Sequence, residues 1–84
     1  MSRKYNGWSS YTAWNVALWL TNNSPVFYSD SIKIVNKYDQ KQVTLEQALN
    51  ELESLVRIYY YGMKTPDGYN ISRRSMKEWF LAQL

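Results

Sequence analysis

The stretch of the chain richest in tryptophan runs from Asn6 to Asn23, NGWSSYTAWNVALWLTNN, and holds Trp8, Trp14 and Trp19 with Tyr11 between them. At about 100° per residue, a helix starting after Ser9 or Ser10 puts Tyr11, Trp14 and Leu18 on one face and Ala13, Ala17 and Leu20 on the next. A narrow polar stripe of Thr12, Asn15, Asn22 and Asn23 remains. A helix this apolar around its circumference is expected at the centre of a fold, contacted on several sides. Trp19 falls inside the polar stripe. Two readings stay open for it: cover by the N-terminal segment or a loop, or exposure as an aromatic anchor for a partner, a role in which Trp is enriched. Trp8, just before the Ser9/Ser10 cap, is placed to pack back on the first turn as a hydrophobic staple.

Asn22-Asn23 predicts the end of this helix, because Asn tolerates the left-handed conformation. Ser24-Pro25 then reads as an N-cap followed by proline at the first helical position. To about Tyr38 a helix places Phe27, Tyr28, Ile32, Ile34, Val35 and Tyr38 on one broad face; a short strand over Ile32 to Val35 is the competing reading, and helix is favoured. Thr44-Leu45-Glu46-Gln47 is a capping box. It opens a helix whose Leu45, Ala48, Leu49, Leu52, Leu55, Val56 and Tyr59 share about a third of the circumference, with Gly62 as the C-terminal stop. Thr65-Pro66-Asp67-Gly68 is a β-turn signature. Ser72 caps a closing helix with Met76, Trp79, Phe80 and Leu84 on its buried face. The expectation is an all-α, single-domain bundle of three to four helices over about 9–22, 25–38, 44–61 and 72–84, with 1–84 as one domain.

Composition narrows the chemistry. The 84 residues include no cysteine and no histidine, so there is no thiolate metal site and no imidazole base or ligand. Four tryptophans, eight tyrosines and two phenylalanines must supply much of the burial. The glycines Gly7, Gly62 and Gly68 are too far apart for a phosphate-cradling loop, and Glu51 and Glu53 diverge on a helix. No enzyme, metal or cofactor is expected. The net charge of +3 is spread among interspersed acids, with Arg3 and Lys4 at the start and Arg73, Arg74 and Lys77 near the end. The first helix is too short and too polar at its ends to span a bilayer, which takes ~20 apolar residues. No leader or membrane segment is read, which points to an intracellular protein.

Two groups of residues are candidates for binding. Tyr59 continues the third helix's core stripe and Tyr60 borders it, whereas Tyr61 shares the solvent face with Arg57 and Asn50. A planar ring beside a guanidinium can grip a protein groove or stack on a base. With Trp19 and Asn15 of the first helix, Arg57 and Tyr61 make the expected partner-binding set. Arg73, Arg74 and Lys77 are a solvated helix face or, alternatively, a phosphate-binding patch. They sit at a helix start, where the macrodipole disfavours cations by ~0.3–1 kcal/mol, so a residue held there is expected to have a partner.

The run Asn6-Gly7-Trp8-Ser9, Tyr11, Trp14-Asn15-Val16, Leu18-Trp19-Leu20 and Asn22-Asn23 resembles a family of small proteins of unknown function encoded by phages and other mobile elements. Their signature is roughly N-G-W-S/T-x-Y/W-x-T/A-W-N-x-x-L-W. Trp79, in Lys77-Glu78-Trp79-Phe80-Leu81-Ala82, is similar to a late tryptophan of that family. The chain departs from the pattern at Ser24-Pro25, where acidic residues often follow the asparagines. The resemblance implies a phage-like origin and a joint importance of Trp8, Trp14, Asn15 and Trp19, without an activity to carry over. By analogy, the expected function is non-enzymatic: an anti-CRISPR-like interaction protein that inhibits or redirects a host protein machine in the host cytoplasm. A small nucleic-acid-binding module and a minor assembly protein are the alternatives.

Overall fold

A hydroxyl oxygen starts each of the four helices. In the computed structural model, which describes residues 5–84, the Ser10, Ser24, Thr44 and Ser72 side chains accept from the backbone N–H three residues on, at 3.0, 3.2, 3.1 and 3.1 Å. Each satisfies one of the N–H groups that a helix start leaves without a carbonyl. The helices are α1 (Tyr11–Asn22), α2 (Pro25–Asp39), α3 (Leu45–Tyr59) and α4 (Arg73–Ala82). At α3 the capping box closes both ways, because Thr44 N–H also donates to Gln47 Oε1 at 2.9 Å. Pro25 occupies the first helical position of α2, and the strand reading of Ile32 to Val35 gives way to continuous helix. Among the described residues, extended pairing is limited to two isolated bridges, Tyr5 with Trp8 and Lys64 with Asn70.

The helices form a ring of neighbours: α1 packs on α2 and α4, and α3 packs on α2 and α4. The globule measures 34 × 34 × 21 Å. Its centre is aromatic. Phe27 meets the rings of Tyr59, Tyr60 and Trp79 at 5.5, 5.4 and 6.5 Å, the first two edge to face. Trp79 and Phe80 of α4 are fully buried, as are Leu20 of α1 and Leu52 and Val56 of α3. The Trp79 indole N–H donates to Thr21 Oγ1 at 3.1 Å, and buried Ser31 donates to the Phe27 carbonyl at 2.8 Å. Among the described residues no buried side-chain nitrogen or oxygen lacks a partner, as a low-dielectric interior requires.

Three expectations are corrected. First, α1 turns its Ala13, Val16, Ala17 and Leu20 face inward, while Tyr11 and Leu18 remain 44% and 38% exposed. The inward face is the one that carries the small alanines, and Tyr11 and Leu18 of the bulkier face lie outside. Second, α3 stops at Tyr59 rather than near residue 61. Tyr60 leaves the helix in an extended conformation, and its ring goes into the core instead of bordering it. A one-turn 3-10 segment, Tyr61–Met63, follows, with Gly62 and Met63 both left-handed at φ 67° and 56°. Third, Leu84 lies beyond the last turn of α4 and is 57% exposed. Arg3 and Lys4, counted in the basic excess, lie outside the described residues.

Truncating Leu52 to Ala, at a fully buried position in the core, is expected to cost about 2–5 kcal/mol in urea unfolding. Thr44→Ala, which removes a cap without touching the core, is expected to cost about 1 kcal/mol in the same measurement.

A candidate protein-binding face built on α1

Asn15 organises this side of the molecule. It was expected on the solvent stripe of α1, but it is 1% exposed. Its amide Nδ2 donates to Asp67 Oδ2 at 2.8 Å, and its Oδ1 accepts from Thr65 Oγ1 at 2.8 Å. The correction has a local cause, because the segment from Lys64 to Ile71 folds over α1 and brings its own polar groups. That segment is tied to itself as well. Gly68 N–H closes the predicted turn on the Thr65 carbonyl at 2.8 Å, with φ 91° at Gly68, a value that suits a residue without a Cβ. Thr65 N–H donates to the Tyr69 carbonyl at 2.9 Å, and Ile71 N–H to the Met63 carbonyl at 2.8 Å.

Trp19 completes the clasp. Its indole N–H donates to the same Asp67 Oδ2 at 3.0 Å, its ring packs against the core, and its backbone carbonyl accepts from the Tyr60 hydroxyl at 2.8 Å. Of the two readings open for Trp19, cover by a loop is the one observed. The hydrogen bonds from Asn15 and then Trp19 stabilise the charged form of Asp67 and hold its carboxyl below the ordinary aspartate range. Burial pushes the Tyr60 hydroxyl above its ordinary value.

Docking the loop assembles rings on the outer face. Tyr69, from the loop, meets Tyr11 edge to face at 5.3 Å; Tyr11 lies 5.3 Å from Trp14 and 6.1 Å from Tyr5. Leu18 continues this line one turn beyond Trp14. The result is a pre-arranged aromatic and aliphatic stripe along α1, half-covered by its own members. Sequence periodicity placed Tyr11, Trp14 and Leu18 together, but as core; Tyr5 and Tyr69 had no sequence signal linking them to it.

The other candidate residues are elsewhere. Tyr61, at the far end of α3, is 98% exposed. Arg57, one helical turn before it, is held by Glu53 at 2.7 Å. Tyr61 lies beyond the last residue of α3, Tyr59, and Asn15 is buried, so the four expected residues do not form one exposed set. Arg73 has the partner expected of a cation at a helix start, and it is internal: Glu53 Oε1 at 3.0 Å, Glu46 Oε2 at 2.8 Å and Asn50 Oδ1 at 2.9 Å, all on α3. Arg57 first, and Arg73 second, hold the Glu53 carboxyl below its ordinary range. Arg74 and Lys77 are exposed, and neither makes an ion pair among the described residues. Glu78 accepts from the backbone N–H and hydroxyl of Ser9 at 2.8 and 2.6 Å, tying α4 to the start of α1. Trp8 sits half-buried against the core, its N–H on the Tyr5 carbonyl at 2.9 Å.

The sequence profile of a family of unknown function, DUF7249, matches residues 1–79. The chain belongs to DUF7249. Searches of curated proteins and of solved structures return no match. The matched region of this DUF7249 protein takes in both the clasp and the stripe it supports, with Tyr5, Tyr11, Trp14, Asn15, Trp19, Thr65, Asp67 and Tyr69 all inside it. No helix among the described residues is long and apolar enough to cross a membrane. No group of three or more acidic side chains among them is placed to hold a metal ion.

Asn15→Ala is expected to lower stability by about 1–3 kcal/mol, because it leaves the buried Thr65 hydroxyl without its acceptor and takes from the Asp67 carboxylate one of its two side-chain donors. Asp67 supplies a pH signature with a defined sign. Its folded-state pKa is depressed, so its contribution is present above the ordinary aspartate value and is lost as pH falls through the folded value. In thermal melts from pH 7 down to pH 2, Asp67→Asn is expected to lose less stability on acidification than the parent chain.

Proposed function

We propose that this protein acts by contact with another protein, as a small phage-type factor that inhibits or redirects a host protein machine. The observation that carries the reading is the outward stripe of Tyr5, Tyr11, Trp14, Leu18 and Tyr69. Monomeric proteins rarely leave contiguous apolar surface without a use. Tyrosine and tryptophan rings with few rotatable bonds are the side chains enriched in interface cores. Here the rings already lean on one another, so little side-chain freedom remains to be lost on binding. The resemblance of Asn6 to Asn23 to phage-encoded proteins supports the host-directed part of the reading. Tyr61, 98% exposed just after α3, offers a second, smaller point of contact. Nucleic-acid binding is the less supported alternative, since Arg73 is engaged by three acceptors and leaves only Arg74 and Lys77 of that cluster facing solvent.

The test is capture of host proteins by the tagged chain, with identification by mass spectrometry, followed by titration of the captured protein with variants. Tyr11→Ala and Leu18→Ala, both at exposed positions, are expected to keep the helical circular dichroism of the parent and to weaken binding at least about tenfold each. Unchanged affinity in both variants would remove the stripe from the reading. Salt-dependent retention of DNA, lost in Arg74→Ala, would favour the nucleic-acid alternative instead.

A further inference from the structure

Between α2 and α3, on a face that the stripe does not share, runs an open groove of about 620 Å³. Ile34 and Leu55 line its apolar part, and Ile58 stands beside them 77% exposed. An isoleucine that open beside an apolar groove is unusual for a surface whose other side chains are charged. The charges have a pattern of their own. Lys37 on the α2 wall and Glu51 on the α3 wall meet across the groove at 2.6 Å, each side chain 41% exposed. Lys33, 75% exposed, stands one turn from Lys37 on the same wall, and its only ion pair among the described residues is a 3.9 Å contact with Asp30.

We infer that this groove is the self-association site of the chain, and that its occupant is the same face of a second copy. The argument is charge complementarity. A two-fold axis lying along the groove sets α2 of one copy over α3 of the other. Lys37 of each copy then faces Glu51 of the second copy, and the two existing pairs become a ring of four alternating charges. Ile58 of each copy enters the apolar part of the other groove, which makes the contact isologous, with one patch serving both sides. A foreign helix of single charge sign fits less well, since it meets one wall favourably and repels the other. The two helices present about 22 Å of length each, at ~1.5 Å per residue, which suits a weak, reversible dimer rather than an obligate one.

Sedimentation velocity across a concentration series tests the inference with three variants. The parent chain is expected to pass from monomer to dimer as concentration rises, and Ile58→Asp, at a side chain that the interior does not use, to weaken dimerisation at least about tenfold. Lys37→Glu and Glu51→Lys are each expected to stay monomeric alone, because each sets like charges against like in a homodimer. Mixed in equal amounts, the two are expected to form a heterodimer, since the two carboxylates at positions 37 and 51 of one meet the two ammonium groups at the same positions of the other. Circular dichroism of each variant confirms that it is folded. A parent chain that stays monomeric at every concentration would overturn the inference, as would a dimer that Ile58→Asp leaves intact. A monomeric parent whose capture of a host protein is lost in Ile58→Asp would also overturn it, and would give the groove to a foreign partner. Self-association is read here and host capture through Tyr11 and Leu18 above, so either can fail without the other.

Discussion

The amide of Asn15 is the constraint on which the rest of this fold turns. It is buried in a helix otherwise lined with apolar side chains, and a buried amide without partners is costly. Only one arrangement here satisfies it: the turn after α3 lies across α1, with the Thr65 hydroxyl donating and the Asp67 carboxylate accepting. That docking fixes the rotation of α1 about its own axis. It also brings Trp19 under the loop, through the same carboxylate oxygen. The left-handed Gly62 and Met63 and the extended Tyr60 follow from it as well, since the chain must leave α3 sharply to reach α1.

A consequence is that polar groups on this side are spent on structure and aromatic rings are left for contact. Tyr69 rides on the docked loop and meets Tyr11, so its place in the outer stripe depends on the closed clasp. Side chains that hold the fold and side chains that face outward alternate along α1, sometimes at adjacent positions, as with Trp14 and Asn15.

Charge is divided in the same way. Arg73 reaches back to Glu53, Glu46 and Asn50, and Glu53 also holds Arg57, so one carboxylate stitches α4 to α3. Each surface pair in such a network is worth little alone, but a bridging carboxylate restrains two guanidinium groups at once. The basic excess that remains is scattered. What distinguishes the surface is therefore its apolar features, the α1 stripe and the α2–α3 groove with Ile58.

Local signals in the sequence determined the class of this protein and where its helices start. Ser10, Ser24, Thr44 and Ser72 each cap the helix they announce, Pro25 opens α2, Thr65-Pro66-Asp67-Gly68 makes its turn, and the Leu49–Leu52–Val56 stripe is buried as its period requires. These follow from hydrogen bonds and side-chain spacings spanning four residues or fewer, which neighbours in the chain dictate. Which face of α1 turns inward, where α3 gives up its last turn, and what covers Trp19 depended on partners 41 to 52 residues away. Periodicity reads hydrophobicity, and around α1 nearly every direction is hydrophobic, so it carries no preference there. The choice fell to close packing of Ala13 and Ala17 and to one buried amide that only the folded chain can satisfy.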